Sequence, residues 1–359
     1  MDQQQGRLQG KRTTLDDLSA EANWLGRLAV VVIKLISTAL LTFALLGNSA
    51  VADTQVSILL SGNNPAYSQF ADSFTRAVSR NASSPITVRK YLLQDALQLA
   101  PEVIESQIVL SIGAEATGAV LAAPLQGRVI TAFVTRNALK KLAESHRHSA
   151  NDPTPLLGGI YLDQPASRLL HTARLLEPTA TTIGMLTGRL SGVRLKEFSA
   201  GADELGLKLR SAELQKEDNP VVKLESLIAG SDVYIVLPDR AEFNRTTAKW
   251  IIYLSYRYGV PVIAYSSRYV DAGALVSVFT TPEQMGQQAA ELTAAVVAGE
   301  VSLPRWEYPK DYQVRINKKV ARSLGYPELD SNKLLRELTA LEPSQTNRST
   351  RQEGVKSDE

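Results

Sequence analysis

The sequence contains no cysteine, which excludes disulfide bonds, thiolate metal sites, cysteine nucleophiles and a lipidated N-terminal cysteine. Histidine is also scarce, with three residues in 359. Two of them, His146 and His148, lie in a polar loop, where solvation is a simpler interpretation than weak metal binding. Neither a His-Glu-x-x-His nor a Gly-x-Ser-x-Gly sequence occurs, and no carboxylate pair has a catalytic spacing. The sequence therefore predicts no enzyme, no cofactor and no metal site.

Neither sign of charge dominates the chain, which has 39 basic and 37 acidic side chains. A protein that binds nucleic acid usually carries a marked excess of Lys and Arg on one surface. Aromatic residues make up 6% of the chain and are mostly tyrosine, so no platform for stacking single strands stands out. We therefore predict no nucleic-acid partner.

Extended and helical segments alternate along most of the chain. Near-continuous apolar runs are typical of strands buried on both faces of a parallel sheet, and the helical spacing between them indicates crossover helices. The predicted fold is α/β, and ligands of such sheets bind at the carboxyl ends of the strands. The predicted strands cover 56–62, 86–93, 107–113, 128–134, 156–162, 181–187, 207–214, 232–238, 260–266 and 275–279.

An apolar run at 35–46 follows Lys34 and precedes Ala50-x-Ala52, the small-residue pattern that signal peptidase cleaves. We predict that 1–52 is an N-terminal extension with a signal peptide, that Asp53 is the mature N-terminus, and that the protein is periplasmic. The apolar stretch back to Leu28 has about 19 residues, close to a bilayer span, so an uncleaved anchor is the alternative.

The segment before the apolar run is long and acidic for the start of a signal peptide. One hypothesis is that translation starts at a valine between positions 30 and 32. A peptide from upstream of Val30, detected by mass spectrometry, would contradict it.

A polar segment at 143–155 contains two prolines and is predicted to be a hinge-side loop or a domain boundary between two β–α series. The tail at 342–359 has almost no apolar residues, and we predict that it is disordered. Two such series behind an export signal suggest a binding protein with two lobes.

The later part of the chain resembles the ABC-transporter substrate-binding proteins of the type I periplasmic-binding-protein fold. The resemblance is strongest over 256–327 and weaker over 53–255. Its most specific elements are Ala272-Gly273-Ala274-Leu275 and Val314-x-Ile316-Asn317.

This resemblance implies two Rossmann-like lobes with parallel sheets and a ligand bound between them. Lobe 1 would comprise 53–157 plus 266–309, and lobe 2 would comprise 158–265 plus 310–330. The implied protein is an exported, monomeric solute-binding protein that closes around a small ligand, such as an amino acid, and delivers it to an ABC permease in the inner membrane.

Two alternative functions are compatible with closure of the two lobes or with the same α/β fold. A periplasmic ligand-sensing subunit would report closure to a membrane kinase or receptor, and neighbouring genes would distinguish it from a transport protein. A hydrolase on the same scaffold is disfavoured because the nucleophile and base are missing.

The candidate ligand-binding residues follow the predicted strands. The first series contributes Ser61, Asn63, Asn64, Ser111, Gly113, Ala114 and Thr135. The second series contributes Tyr161, Thr187, Gly188, Asp239, Tyr265 and Ser266. Free backbone N–H groups at the helix that follows Gly113 would favour an anion such as a carboxylate.

Several of these residues have a structural alternative. Asp239 could accept a ligand ammonium or hydroxyl, or it could cap a helix over 241–258. Tyr161 and Tyr265 could offer flat faces to a ligand or belong to the core. The turn at 188–192 could hold an anion with help from Arg189 or Arg194, or its glycines could simply form the turn.

The positions of the tryptophan residues help to decide between a sugar and an amino acid as the ligand. Trp250 lies in a helical pattern with Ile251 and Leu254, which predicts a core position. No candidate loop contains a tryptophan that could stack on a sugar ring, so a sugar is less favoured than an amino acid.

Overall fold

A computed structural model describes Lys34 and residues 53–342, apart from 83, 94–99, 126, 146–155, 189–190, 216 and 240–243. The predicted signal peptide, anchor and start position lie outside the described residues, as do most of the polar segment and the tail beyond 342. The chain from Asp53 onward forms a compact unit of its own. Within the described residues, no helix has the length and apolar character that a bilayer crossing requires.

Strands and helices alternate through the described chain. The strands are β1 (Thr54–Leu60), β2 (Ile86–Leu92), β3 (Ile108–Ile112), β4 (Arg128–Val134), β5 (Leu156–Tyr161), β6 (Thr182–Thr187), β7 (Lys208–Glu213), β8 (Val233–Ile235), β9 (Val262–Ala264), β10 (Val276–Phe279), β11 (Trp306–Glu307) and β12 (Gln313–Ile316). The helices are α1 (Pro65–Asn81), α2 (Pro101–Ile104), α3 (Ala114–Ala122), α4 (Arg136–Ser145), α5 (Ala166–Leu176), α6 (Leu195–Glu204), α7 (Pro220–Ala229), α8 (Arg245–Tyr258), α9 (Ser267–Ala272), α10 (Pro282–Val297), α11 (Lys318–Ser323) and α12 (Ser331–Leu341).

The strands form two six-stranded sheets with the same order of elements. The first runs β2-β1-β3-β4-β5-β11 and is parallel throughout. The second runs β7-β6-β8-β9-β10-β12, and only its edge strand β12 is antiparallel. We call the two halves lobe 1 and lobe 2. The prediction of two α/β lobes with parallel sheets is confirmed.

Each sheet is buried between helices, as its apolar strands require. In lobe 1, Phe70 and Phe74 of α1 and Met285 of α10 pack on the sheet and are fully buried. In lobe 2, Phe198 of α6 and Leu170 of α5 pack on the second sheet in the same way. The strand runs are apolar because both faces of each sheet are covered.

The chain passes between the lobes three times, and two passages differ from the predicted boundaries. Strand β5 stays paired with β4 and β11 to its end, so residues 158–161 belong to lobe 1. Strand β10 pairs with β9 and β12, so 276–279 belong to lobe 2. The second passage therefore falls at Thr280–Thr281, where a capping box begins α10, and the third lies between β11 and β12.

Lobe 2 extends beyond the predicted end at 330. Helix α12 buries Leu334 and Leu338 in the lobe 2 core. Glu342, which the sequence assigned to a disordered tail, forms a salt bridge with the buried Arg168. The prediction missed this helix because its apolar stripe is short and follows a polar turn.

Candidate functional site

The loops after β1 and β3 are joined in lobe 1. Strands β1 and β3 are neighbours in the sheet, but β2, which follows β1, lies on one side of this pair, and β4, which follows β3, lies on the other. Such a switch point is where open α/β sheets bind ligands. The Ser61 hydroxyl donates to the Ile112 carbonyl at 2.8 Å and accepts from the Ala116 N–H at 2.9 Å. The Gly113 N–H donates to the Ala132 carbonyl at 2.9 Å. The Gly113 N–H is therefore not free for a ligand, contrary to the prediction, whereas Ala114 is exposed.

Replacing Gly113 with alanine is expected to lower the free energy of unfolding by about 1–3 kcal/mol. Gly113 has a φ of +91°, and an added Cβ would lie 2.6 Å from Ser61 Oγ and 2.7 Å from the Tyr67 hydroxyl. Urea denaturation measures the change. Gly206→Ala is the matched control, because Gly206 also has a positive φ of 62° but no atom within 4 Å. An equal loss in both variants would show that the contacts around Gly113 contribute nothing.

Three aromatic side chains pack together beside this switch point, and the sequence did not predict this group. Phe133 has a φ of 60° at a bulge in β4, where the pairing with β5 shifts between Thr131 and Val134. Its ring meets those of Tyr67 and Phe70 edge-on at 5.4 and 5.7 Å. Bulges commonly redirect a side chain next to a binding site. The only signal in the sequence was the helical spacing of Tyr67 and Phe70.

The remaining candidates of lobe 1 have mainly structural contacts. Asn64 caps α1 by accepting from the Ala66 N–H at 3.0 Å, and Asn63 beside it is exposed. The Thr135 hydroxyl accepts from the Ala138 N–H at 3.2 Å in the first turn of α4. Ser111 is fully buried, and its hydroxyl lies 3.1 Å from that of Thr117. Ser111 is therefore a core residue of the sheet, and its side chain does not reach the strand-end surface.

Lobe 2 has an equivalent link between the loops after β6 and β8. One carboxylate oxygen of Asp239 accepts from the Ser191 N–H at 2.8 Å and from the Ser191 hydroxyl at 2.9 Å. The Gly188 N–H donates to the same hydroxyl at 2.9 Å. Asp239 is 3% exposed and Thr187 is fully buried. Asp239 thus fixes the turn that follows β6, at the switch point of the second sheet.

The alternative role of Asp239 as a helix cap is wrong. Helix α8 begins at Arg245, and its cap is Asn244, which accepts from the N–H groups of Thr246 and Thr247 at 2.8 and 3.0 Å. Asparagine caps helices as well as aspartate does, so the sequence alone did not separate the two positions.

Tyr265 and Ser266 follow β9 and are both partly buried. The Tyr265 ring lies 5.4 Å from that of Tyr269. Burial, together with the neighbouring Tyr265, raises the pKa of the Tyr269 hydroxyl. Ser266 stands at the start of α9 but does not cap it through its side chain.

A buried cation joins the first passage between the lobes to lobe 2. Arg194 is 2% exposed, and its guanidinium lies 3.5 Å from Asp163 and 3.1 Å from Glu197. Asp163 also accepts from the Arg136 N–H at 2.6 Å. Arg194 is therefore committed to this cluster, and the predicted role in holding an anion at the 188–192 turn does not fit its position; Arg189 lies outside the described residues.

Glu197, like Asp163, contacts residues of both lobes. It accepts from the Ala166 N–H at 3.0 Å and from the Tyr308 hydroxyl at 3.2 Å. Arg136, which begins α4 in lobe 1, lies 3.7 Å from the same carboxylate. The charges of Arg136 and Glu197 are partly open to solvent, whereas Asp163 and Arg194 are buried.

Replacing Glu197 with glutamine is expected to reduce the amount by which the free energy of unfolding falls as the pH is lowered. Burial alone would raise the pKa of Glu197, but Arg194, the Ala166 N–H and Arg136 hold it below its ordinary value of 4.5. A carboxyl whose pKa is depressed by folding stabilises the protein fully above the unfolded pKa and loses this contribution as pH falls through the folded pKa.

The free energy of unfolding of wild type and Glu197→Gln is measured by urea denaturation at pH about 7 and at pH about 3. The difference between the two proteins should be largest at the higher pH. Burial raises the pKa of Asp163 despite Arg194, and the charge of Glu197 adds to this rise, so both proteins are compared in the Asp163→Asn background. A difference that does not change with pH would contradict the assignment.

Three aromatic rings lie together at the passages between the lobes. Tyr161 stacks on Trp306 at 5.5 Å and packs against Tyr308 at 5.3 Å. Burial raises the pKa of Tyr161 to about 12, so its hydroxyl stays protonated at neutral pH. Trp306 comes from a distant part of the chain and stacks on the candidate residue Tyr161. The absence of tryptophan from the candidate loops therefore no longer disfavours a sugar as the ligand.

The three passages are hydrogen-bonded to one another. Gln164 in the first donates to the Thr280 hydroxyl in the second at 3.0 Å, and that hydroxyl donates to the Asp311 carbonyl in the third at 2.9 Å. Arg168 donates to Gln164 at 2.5 Å and to the Pro309 carbonyl at 3.1 Å. Because β5 and β10 both end at these passages, the carboxyl edges of the two sheets meet here.

The site offers hydroxyls, carboxylates, a guanidinium and aromatic faces on both lobes, an arrangement that suits reversible binding of a small polar molecule. In the described part of the chain, no group of three or more His, Asp or Glu residues could hold a metal ion. The two lobes, joined at three passages and carrying one switch point each, define a binding protein of the type I periplasmic fold.

Comparison with known proteins agrees with this class. A family model described as ABC transporter substrate binding protein matches residues 90–331, more than half of the chain. The protein belongs to this family. No curated protein matches the chain.

Solved structures with low sequence identity share the fold. The ligand-free, open form of CD0873, a substrate-binding protein with adhesive properties from Clostridium difficile, is 18% identical with a TM-score of 0.60 and covers 78% of this chain and 97% of its own. An ABC domain from Streptococcus pneumonia in complex with L-Trp is 17% identical with a TM-score of 0.53 and covers 80% of this chain and 98% of its own. A conserved domain protein from Vibrio cholerae is 19% identical with a TM-score of 0.53 and covers 79% of this chain and 97% of its own.

Proposed function

We propose that this protein is the exported solute-binding component of an ABC uptake system and closes its two lobes around an amino acid or a similar small polar molecule. Closure would place the ligand between the switch points of the two sheets, and the closed form would dock as a monomer on the permease. Binding would stabilise the closed state through contacts with both lobes that the open state lacks.

The observation that carries this proposal is the hydrogen bond between Gln164 and Thr280 at 3.0 Å. It joins the segment that leaves the carboxyl end of β5 to the segment that leaves the carboxyl end of β10. The strand-end loops of both lobes therefore open toward a shared region, with the three passages as its hinge.

The charges around this region favour a ligand that carries both signs. Arg136 supplies a cation whose side chain is 49% exposed and which Glu197 pairs at 3.7 Å, while the carboxylate of Asp239 lies at the lobe 2 switch point. Phe133 and Tyr67 add an aromatic surface on lobe 1. An amino acid has a carboxylate, an ammonium group and a side chain that match these three features. The L-Trp bound by the Streptococcus domain is consistent with this class.

A thermal-shift screen with the common amino acids, sugars and nucleosides tests the ligand class. A ligand present at 100 times its Kd adds about 2.7 kcal/mol to the free energy of unfolding, which raises the Tm measurably. We expect an amino acid to give the largest shift. A shift by sugars alone would overturn the ligand class, and no shift with any compound would contradict solute binding.

The export proposal is tested on the protein isolated from the cells that produce it. Mass spectrometry of the soluble periplasmic fraction should show Asp53 as the first residue. A chain that retains the apolar run and stays with the membrane would contradict cleavage and indicate an anchor.

A further inference from the structure

Helix α8 presents an aromatic face to solvent. Trp250 is 37% exposed, Tyr253 54% and Tyr256 70%. The core prediction for Trp250 is wrong, since α8 buries Ile251 and Leu254 and turns Trp250 outward. Large aromatic side chains grouped on one exposed face indicate a surface that contacts something else.

The charged side chains of α8 all have the same sign. They are Arg245, Lys249 and Arg257. Arg257 is paired with Glu225 of α7 at 3.2 Å. Arg245 and Lys249 are exposed, and neither forms an ion pair with any other residue that the structure describes. Two cations one helical turn apart are therefore available to an external anion.

A cavity of about 320 Å³ lies between these two cations and α9. Its lining consists of Arg245, Ala248, Lys249, Ile252, Tyr253 and Ala272. Its wall is almost entirely apolar, and it lies beside the exposed cationic side chains of Arg245 and Lys249. An anionic headgroup attached to an apolar chain has the same combination of chemical features.

We propose that the α8 face, defined as Arg245, Lys249, Trp250, Tyr253 and Tyr256, docks this protein on a bilayer surface that contains anionic phospholipid. Tryptophan and tyrosine are enriched at membrane interfaces because an apolar ring and a polar tip suit the headgroup region. Lysine and arginine add electrostatic attraction to anionic lipid. An acidic protein surface would also attract the cations, but the apolar cavity between them favours lipid.

Vesicle sedimentation tests this proposal with the chain that starts at Asp53, because it forms a compact unit and lacks the apolar N-terminal run. The probes are vesicles of phosphatidylcholine alone and of phosphatidylcholine mixed with phosphatidylglycerol. We expect binding to the mixed vesicles only, and a weaker association as salt is raised. Equal binding to both kinds of vesicle, or binding to neither, would overturn the proposal.

Two variants with equal changes of charge make the test specific. Arg245→Gln with Lys249→Gln should weaken binding to the mixed vesicles by roughly tenfold or more. Lys319→Gln with Arg322→Gln removes two exposed cations from α11 and should leave binding near the wild-type value. An equal loss in both double variants would overturn the α8 face, because binding would then follow net charge alone.

The contribution of the aromatic side chains is tested separately. Tyr253→Ser with Tyr256→Ser keeps every charge and should also weaken vesicle binding. Trp250 emission should shift to shorter wavelength on binding, and Trp306→Phe removes the other tryptophan of the chain that starts at Asp53. Unchanged binding by the variant, together with unchanged Trp250 emission, would overturn the docking of the α8 face on a bilayer.

Discussion

Replacing Arg194 with methionine is expected to lower the free energy of unfolding by about 3–5 kcal/mol, because it leaves a buried carboxylate without its cation. Arg194 and Asp163 are 2% and 3% exposed. Burial alone would lower the pKa of Arg194, but Glu197 and Asp163 raise it, so the guanidinium stays charged. Methionine keeps much of the apolar contact of the arginine stem, and it removes the hydrogen bond to the Gln164 carbonyl at 2.8 Å together with the charge.

Urea denaturation at neutral pH measures this loss. The matched control is Lys196→Met, which removes an exposed cation two residues away and should change the free energy of unfolding by less than about 0.5 kcal/mol. Adding Asp163→Asn to Arg194→Met should restore part of the stability. A loss in Arg194→Met no larger than that of the control would contradict the account of this cluster.

Replacing Asp239 with alanine is expected to weaken ligand binding by at least about 100-fold, or ~2.7 kcal/mol. The carboxylate holds Ser191 through two hydrogen bonds, and their loss would release the turn that follows β6. Some stability should be lost as well, about 0.5–1.5 kcal/mol for each lost hydrogen bond, since the Ser191 N–H keeps a second acceptor in the Gly188 carbonyl at 3.2 Å. Isothermal titration with the amino acid that gives the largest thermal shift measures the affinity.

Asp232→Ala is the matched control for this variant. Asp232 also accepts from backbone N–H groups, those of Thr181 and Thr182 at 2.7 and 2.9 Å, but it lies at the amino end of β8. Its removal should lower stability and leave affinity unchanged. If Asp239→Ala bound the ligand as tightly as Asp232→Ala, the lobe 2 switch point would not be part of the site.

The sheets were predictable from sequence because their strands are apolar on both faces. The loops at the two switch points were also predictable, since Ser61 and Gly188 follow β1 and β6 directly and Asp239 lies four residues after the end of β8. Ser61 and Asp239 were correctly placed at strand ends, but their hydrogen bonds to the neighbouring loop required the strand order. The strand order depends on the packing of the whole sheet and cannot be predicted from the sequence of any one segment.

The charged cluster around Arg194 at the hinge could not be predicted, because its members come from separate parts of the chain. Arg136 follows β4, Asp163 lies in the first passage, Arg194 and Glu197 follow β6, and Tyr308 lies in the third. None of them stands in a motif. The lobe to which β10 belongs was misassigned for a related reason, since only its pairing with β9 and β12 reveals its sheet.

The absence of cysteine allows the central claim, closure of two lobes on a small molecule, to be measured directly. Spin labels on Glu115→Cys in lobe 1 and Val193→Cys in lobe 2 report the distance across the cleft, because these would be the only thiols. Labels on Arg80→Cys and Glu115→Cys, both in lobe 1, form the control pair. An equimolar mixture of the common amino acids should shorten the first distance and leave the second unchanged. A first distance that stays the same with this mixture would contradict the account.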